Sequence, residues 1–405
     1  MFELEESHRI LEKAVRQFAE KEIAPFVEKM DSGEMLPYEL MRKMAEAFGI
    51  RKKQITPDDE SQMAGPRGEK QDPMMEAIVA KELCRVSPGY YLSFGASLGL
   101  CGRAIMKKGT PEQVKKYGLP VMNFDKIGCW ALTEPDSGSD AFALKTVARP
   151  DGDGYVLNGS KMFATNAPFA DVFVIYARIV REEKDLKDKR QINPFVMERG
   201  VKGLSTSPPI KKMGMCASPT GMIYLDDVRL GKEHLLGGEE RGSRDSAKDV
   251  LWGERSGLSF MAWGIIERCL DDCIKYSIQR KQFGKSLAEF QLIQEKLARI
   301  YVLLENVRNM CFKQVWLQKH RKGAAEEFCA SKFYCSQAAV DAALEAIQLM
   351  GGYGYMKEYH VEMLMRDAKL LQIGGGPSEI QLLTIARELL RKHNFDITLS
   401  GDKEV

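Results

Sequence analysis

Apolar positions recur near helical spacing over residues 7–30, where Leu11, Val15, Phe18 and Ile23 stand among Glu, Lys and Arg, and again over 73–110 around Ile78, Leu83 and Leu98. The first third therefore predicts helices. Between these segments RKKQITPDDESQMAGPRGEK (51–70) is polar, contains Pro and Gly and has no period, which predicts a solvated loop. From about residue 126 the texture changes to the short runs GYVLNGSKMF, ADVFVIYARI, NPFVMER and GMIYLDDVRL, rich in β-branched and aromatic residues and separated by Gly, Asn and Pro. These predict a β domain with turns at DGDG (151–154) and ERGVKG (198–203), a longer exposed connection over 181–191, and an end near LLGGEERG (235–242). Helical periodicity then returns over 245–280, 286–319, 323–350 and 378–392, broken by glycines at 351–354 and 374–376. Helices this long predict a bundle. The fold class is α+β, with a helical domain over 1–125, a β domain over 126–237 and a helical bundle over 238–405.

Composition narrows the function more than the fold. The 405 residues are 44% hydrophobic, enough for two or three structural units. Lys plus Arg (59) nearly balances Asp plus Glu (57), so the net charge of +2 gives no general attraction to nucleic acid or an anionic membrane. No apolar run of about 18 residues exists, and MFELEESHRILEK has charges where a signal peptide needs an apolar core, which predicts a cytoplasmic protein without membrane insertion. The nine scattered cysteines fit reduced thiols. Cys269 and Cys273, one helical turn apart, read as buried small hydrophobes rather than metal ligands, and no metal is expected. No GxGxxG follows a strand, so a dinucleotide would have to bind in another way.

Four stretches carry candidate chemistry: WALTEPDSGSD (130–140), LNGSKMFATNAPFAD (157–171), QRKQFGKSLAEFQLIQ (279–294) and QLMGGYGYMKEYHVEMLMRDAKLLQIGGGPSEIQ (348–381). In this order, on a helix–β–helix background, they resemble the acyl-CoA dehydrogenases over nearly the whole chain. The resemblance implies that family's three-domain fold, with an N-terminal helical domain, a β-barrel-like middle and a C-terminal four-helix bundle. It also implies FAD as cofactor, an acyl-CoA substrate, electron-transfer flavoprotein as acceptor and a homotetramer. By resemblance Trp130, Leu132, Thr133, Gly138 and Ser139 bind FAD, with Ser139 also touching the acyl-CoA, and Phe163 and Thr165 cover and hydrogen-bond the flavin ring. Phe163 replaces the usual Trp, so less area remains for stacking. Arg280 and Gln291 are assigned to FAD, reaching across from a neighbouring subunit, and Gln282, Phe283, Gln348, Gly351, Gly352, Ser378 and Glu379 are also assigned to the cofactor. Read without the resemblance, TEPDSGSD is a β-turn, Arg280 a solvated helix end and GGYG a helix break.

The family's reaction needs one carboxylate to remove the proton α to a thioester carbonyl, and donors for the charge that develops on the carbonyl oxygen. In most members the carboxylate is a Glu in a segment resembling YEGTSEIQ. Aligned through SEIQ (378–381), that Glu falls on Gly375, the Tyr on Gly374 and the Thr on Pro377. Glu379 reads as an interaction with its own helix N-terminus rather than as the base. A minority of members, resembling the isovaleryl-CoA and long-chain types, carry the base in an "ER" pair on an earlier helix. Here Glu254-Arg255 precedes Arg280 at the matching offset, which makes Glu254 the expected base. Arg255 is expected to meet CoA or an internal carboxylate, and Gly375 to keep its backbone N–H for the thioester carbonyl. Pro377 is the departure that the resemblance does not explain.

A base on the earlier helix, with Tyr and Glu missing at 374 and 375, favours a branched, alicyclic or aryl-substituted acyl group. Tyr91 stands where glutaryl-type members carry an Arg, and Tyr90, Tyr91, Phe94, Met213 and Trp252 form a candidate aromatic pocket, or else ordinary core. The competing readings on the same fold are an acyl-CoA oxidase or flavin monooxygenase, and a DNA-associated flavoprotein, which would want a strongly basic face.

Overall fold

In this computed structural model residues 3–50, 72–186, 191–238, 244–320 and 322–395 are described, with backbone alone for 244–254. The 51–70 stretch, the middle of the 181–191 connection, residues 239–242 of the expected domain end and the side chains of Trp252 and Glu254 lie outside the described residues. The chain divides into two compact units: Lys21–Lys70 with Gly89–Leu251, and Met1–Glu20 with Gln71–Pro88 and Trp252–Val405. The helices of the first third are thus shared between them.

The first unit is built on a curled mixed sheet of β1 Gly128–Ala131, β2 Val147–Asp151, β3 Gly154–Thr165, β4 Val172–Ile179, β5 Ile192–Glu198, β6 Leu204–Thr206 and β7 Thr220–Gly231. β4 is central: β5 runs antiparallel along one edge, while β1 and then β2 pair with it in parallel at 172–175 and 178–179. From β2 the sheet continues antiparallel through β3, β7 and β6. The run VFVIYARI is buried on both faces because side chains alternate across a strand. Phe173, Ile175 and Ala177 join one apolar cluster with Leu157, Phe195 and Ile223, whereas Val172, Val174 and Tyr176 join another with Cys101, Tyr117 and Val121 from the helical segment before the sheet. The expected turn at DGDG joins β2 to β3, with Gly152 at φ 57°, and ERGVKG joins β5 to β6.

The second unit is helical. Numbering only its own α-helices, these are α1 Glu6–Phe18, α2 Pro73–Cys84, α3 Arg244–Gln279 (which begins just before the unit does), α4 Gln291–Lys319, α5 Ala325–Met350, α6 Val361–Ile373 and α7 Ser378–Lys392. α5 packs against α4, α6 and α7. α6 is not among the spans that periodicity predicts: it starts from His360 at φ 54° without a capping side chain, and Asp367 within it is buried, so neither its start nor its inward face carries the usual signal. A charged cluster ties α1, α2 and α3 together. The Arg16 guanidinium donates to both Glu82 carboxylate oxygens at 2.8 and 2.9 Å, and Arg85 donates to Glu267 at 2.8 Å and Asp271 at 2.7 Å. Lys81 lies 2.8 Å from Glu82, so the buried charges are paired. Cys269 and Cys273 are fully buried in α3.

Candidate active site

In the sheet unit, TEPDSGSD does form a turn, closed by mutual backbone bonds between Glu134 and Ser137. What fixes it is the Glu134 side chain. Its carboxylate accepts from the Lys145 N–H at 2.5 Å, the Thr146 N–H at 3.0 Å and Lys161 Nζ at 2.7 Å. Lys161 is fully buried in β3 and also donates to the Leu132 carbonyl at 3.1 Å, tying β3 to the motif on either side of Thr133. Burial pushes the Lys161 amine down to about 8. Burial alone would raise the Glu134 carboxyl, but the Lys161 charge and the three donors hold it below the usual carboxylate range. Gly138 and Ser139 are left exposed with open space beside Gly138.

β3 changes register between Lys161 and Ala164, and within that bulge Phe163 sits at φ 57° with its ring 62% exposed. A non-glycine residue in that region costs about 1 kcal/mol or more, and here it presents an uncovered aromatic face. Thr165 follows, paired with Thr220 of β7. Trp130 packs edge-on against Tyr176 at 5.3 Å, and its indole N–H is buried and donates to no described residue. Tyr91 is 9% exposed and stacks on Phe94 at 6.3 Å, while Tyr90 is fully buried. Tyr90 and Phe94 are therefore core, whereas Met213 is exposed.

In the helical unit two motifs meet. RKQFGK forms the hairpin of β8 Lys281–Gln282 and β9 Lys285–Ser286, whose two turn residues, Phe283 and Gly284, have φ 52° and 79°, the pattern of a type I′ turn. Arg280 leaves α3 with its guanidinium 5.3 Å from the Tyr353 ring centroid, and Tyr353 also contacts Tyr276 and Tyr359. The Gly351–Tyr355 break after α5 is thereby brought to the Arg280 hairpin. Gln348, Gly351, Gly352, Arg280, Gln282, Phe283 and Gln291 are all exposed on this unit, Phe283 at 92%.

The glycine triplet connects α6 to α7. Gly375 and Gly376 have φ 63° and 89°, which glycine alone adopts without strain, and a Cβ on Gly376 would come within 2.7 Å of Gln381 Nε2. The Gly374 N–H donates to the Leu370 carbonyl at 2.8 Å and Ser378 Oγ to the Gln372 carbonyl at 3.3 Å, pinning both ends. Pro377 is the N-cap residue of α7, and its carbonyl accepts from the Gln381 N–H at 3.1 Å. A helix start leaves its first N–H groups without intrahelical partners, so the missing N–H of Pro377 breaks no bond of α7, although no side chain caps the helix. The lost threonine hydroxyl has no structural explanation. Glu379 is exposed in the first turn of α7. Glu254 lies within α3, and Arg255, next to it, donates a long 3.6 Å contact to Cys329 Sγ of α5.

Family models match the chain along its length: the acyl-CoA dehydrogenase N-terminal domain over residues 5–124, the middle domain over 129–228 and the C-terminal domain over 242–390. The chain belongs to the acyl-CoA dehydrogenase family. It is 35% identical over 390 residues to a short-chain specific acyl-CoA dehydrogenase of Clostridium acetobutylicum, covering 96% of this chain and all of that one. It is equally similar to a 3-(aryl)acrylate reductase of Clostridium sporogenes (35%, covering 95% of this chain and 99% of that one) and to the caffeyl-CoA reductase–Etf complex subunit CarC of Acetobacterium woodii (35%, 96% and 99%). The structure of butyryl-CoA dehydrogenase from Megasphaera elsdenii superposes with a TM-score of 0.87 at 33% identity, covering 96% of this chain and all of that one.

This acyl-CoA dehydrogenase is an FAD oxidoreductase, and its residues fit the cofactor. The buried, unpartnered Trp130 N–H, the uncovered Phe163 ring and the open backbone at Gly138 each suit a polar aromatic ring system with a phosphate tail. Among the described residues no helix is long and apolar enough to cross a membrane. Sequence reading missed Glu134, Lys161, Lys332 and Gln381, which hold the motif loops. One signal was present for Lys161: it falls on the same alternating face of β3 as the buried Tyr155 and Leu157.

Proposed function

We propose that the chain dehydrogenates an acyl-CoA across its α and β carbons, with Glu254 taking the α-proton and the Gly375 N–H donating to the thioester carbonyl. FAD, when bound, supplies the hydride acceptor. The observation that carries this reading is the glycine loop: with no side chain at 374, 375 or 376 the loop offers backbone alone, and the nearest carboxylate in sequence, Glu379, is exposed on α7. Arg255 orients CoA or an internal carboxylate. Trp130, Leu132, Thr133, Gly138, Ser139, Phe163 and Thr165 hold the flavin end of the cofactor, with Ser139 also reaching the acyl-CoA. Ser378 and Glu379 adjoin the cofactor, and Arg280, Gln282, Phe283, Gln291, Gln348, Gly351 and Gly352 serve the cofactor of a neighbouring subunit in a homotetramer.

An aryl-substituted or otherwise bulky acyl group is the favoured substrate, supported by the missing side chains at 374 and 375 and by the similarity to the 3-(aryl)acrylate reductase. Electrons pass to an electron-transfer flavoprotein, in keeping with the similarity to CarC. Glu254→Gln is expected to purify with FAD bound and to lose acyl-CoA-dependent bleaching of the flavin by about 10³-fold or more, as removal of an essential base does. Bleaching at the wild-type rate would refute the assignment of the base.

A further inference from the structure

The loop that lacks side chains is held by a side chain that no motif points to. Lys332 of α5 is fully buried, and its Nζ donates to the Gly376 carbonyl oxygen at 2.7 Å. Gln381, fully buried in the first turn of α7, donates through Nε2 to the same oxygen at 2.8 Å and to the Gly375 oxygen at 3.2 Å. The Gly376–Pro377 peptide has no N–H, so this carbonyl is its only hydrogen-bonding group, and the two donors use both of its lone pairs. A lysine at a fully buried helix position is expensive to desolvate, and an apolar residue there would avoid that cost. Peptide units are rigid planes in which C=O and N–H point in opposite directions. Fixing the Gly375 carbonyl inward therefore turns the Gly376 N–H the other way, and with Gly374 pinned to Leu370 the Gly374–Gly375 peptide is held from both sides. The Gly375 and Gly376 N–H groups donate to no described residue.

We infer that Lys332 is a positioning residue for the dehydrogenation: through the Gly376 carbonyl it holds two flexible glycines in the one conformation that aims the Gly375 N–H at the thioester oxygen. This rests on the reading that this N–H receives the thioester carbonyl. In most members of the family, as the resemblance has it, a bulky Tyr-Glu pair occupies 374 and 375. Here those side chains are absent, and Lys332 and Gln381 hold the loop through its carbonyls.

The test binds a 3-(aryl)acryloyl-CoA, whose absorption moves to the red when its carbonyl is hydrogen-bonded, to the FAD-loaded wild type, Lys332→Met and Lys332→Arg, alongside steady-state turnover of an acyl-CoA. The wild type is expected to shift the band. Lys332→Met, of similar length but without a donor, is expected to lose at least half of that shift and about 10- to 100-fold in kcat, with KM changed less than about 3-fold, while Lys332→Arg recovers part of both. No red shift in the wild type overturns the amide reading and this inference with it. A full shift and wild-type kcat in Lys332→Met overturn the role of Lys332 alone. If Lys332→Met does not fold, Lys332→Gln takes its place on the same readouts: a partial loss of shift and kcat at unchanged KM supports the inference, and wild-type values overturn it.

Discussion

The two units solve the same problem in opposite ways. In the sheet unit the motif loop keeps a side chain, Glu134, that gathers donors from Lys145, Thr146 and Lys161. In the helical unit the loop has no side chain at 374–376, and it is the carbonyls of Gly375 and Gly376 that accept from Lys332 and Gln381. Both use a fully buried lysine. The difference is in what is gripped: the glycine loop is held through its own carbonyls, whereas the TEPDSGSD turn is held through a side chain.

The sharpest break of this comparison removes the side chain from the loop that has one. Glu134→Ala leaves Lys161 buried without its carboxylate and two N–H groups without an acceptor, and is expected to lower unfolding stability by about 3–5 kcal/mol and to weaken FAD retention. Denaturant melts of the holoenzyme and flavin content per chain measure both. The double variant with Lys161→Met should recover part of the loss, because the unpaired charge goes with it; no recovery would mean that the pair is not the anchor.

Alkaline stability examines the same lysine without removing its partner. Its folded value of about 8 lies below the ordinary 10.5, so between these pH values the unfolded chain holds a proton that the folded chain has released. Stability from this group therefore rises with pH across that window, by at most about 1.4 kcal/mol per unit, and the contribution is absent below it. Wild type should gain on Lys161→Met from pH 8 to 10.5 in thermal melts, and a constant gap would contradict the burial of a charge there.

The smallest expected effect concerns the glycine loop. Gly376→Ala puts a Cβ at φ 89° and into Gln381 Nε2, so about 1–3 kcal/mol of strain is expected, relieved by Gln381 moving off the loop carbonyls. The thermal melt should drop modestly while kcat falls by more than the stability loss explains. Equal sensitivity of both would make this loop merely structural.

Much of this was legible in the chain. Strand texture and helical period marked the elements because burial on one face imposes a repeat of two or of about 3.6. The four motifs marked the family because they occur together and in one order along the chain. Where the period breaks, legibility ended: α6 carries a buried Asp367 on its inner face, and the 161–164 bulge in β3 puts Phe163 outward at a backbone angle that no local pattern announces. Pro377 is an unexplained departure in the sequence, and only its place as the N-cap of α7 shows that its missing N–H breaks no helical bond.

The sequence by itself determined the element types outside α6, the family and the absence of a carboxylate at 375, since these are read from residues near one another in the chain. Only the tertiary structure decided what holds the two motif loops. Lys161 reaches Glu134 across 27 residues and Lys332 reaches Gly376 across 44. A lysine's place in the chain does not say whether water or the protein's own oxygens will meet its ammonium group. That depends on how completely the packed elements exclude solvent around it, and a buried cation then has to be given a partner by the fold.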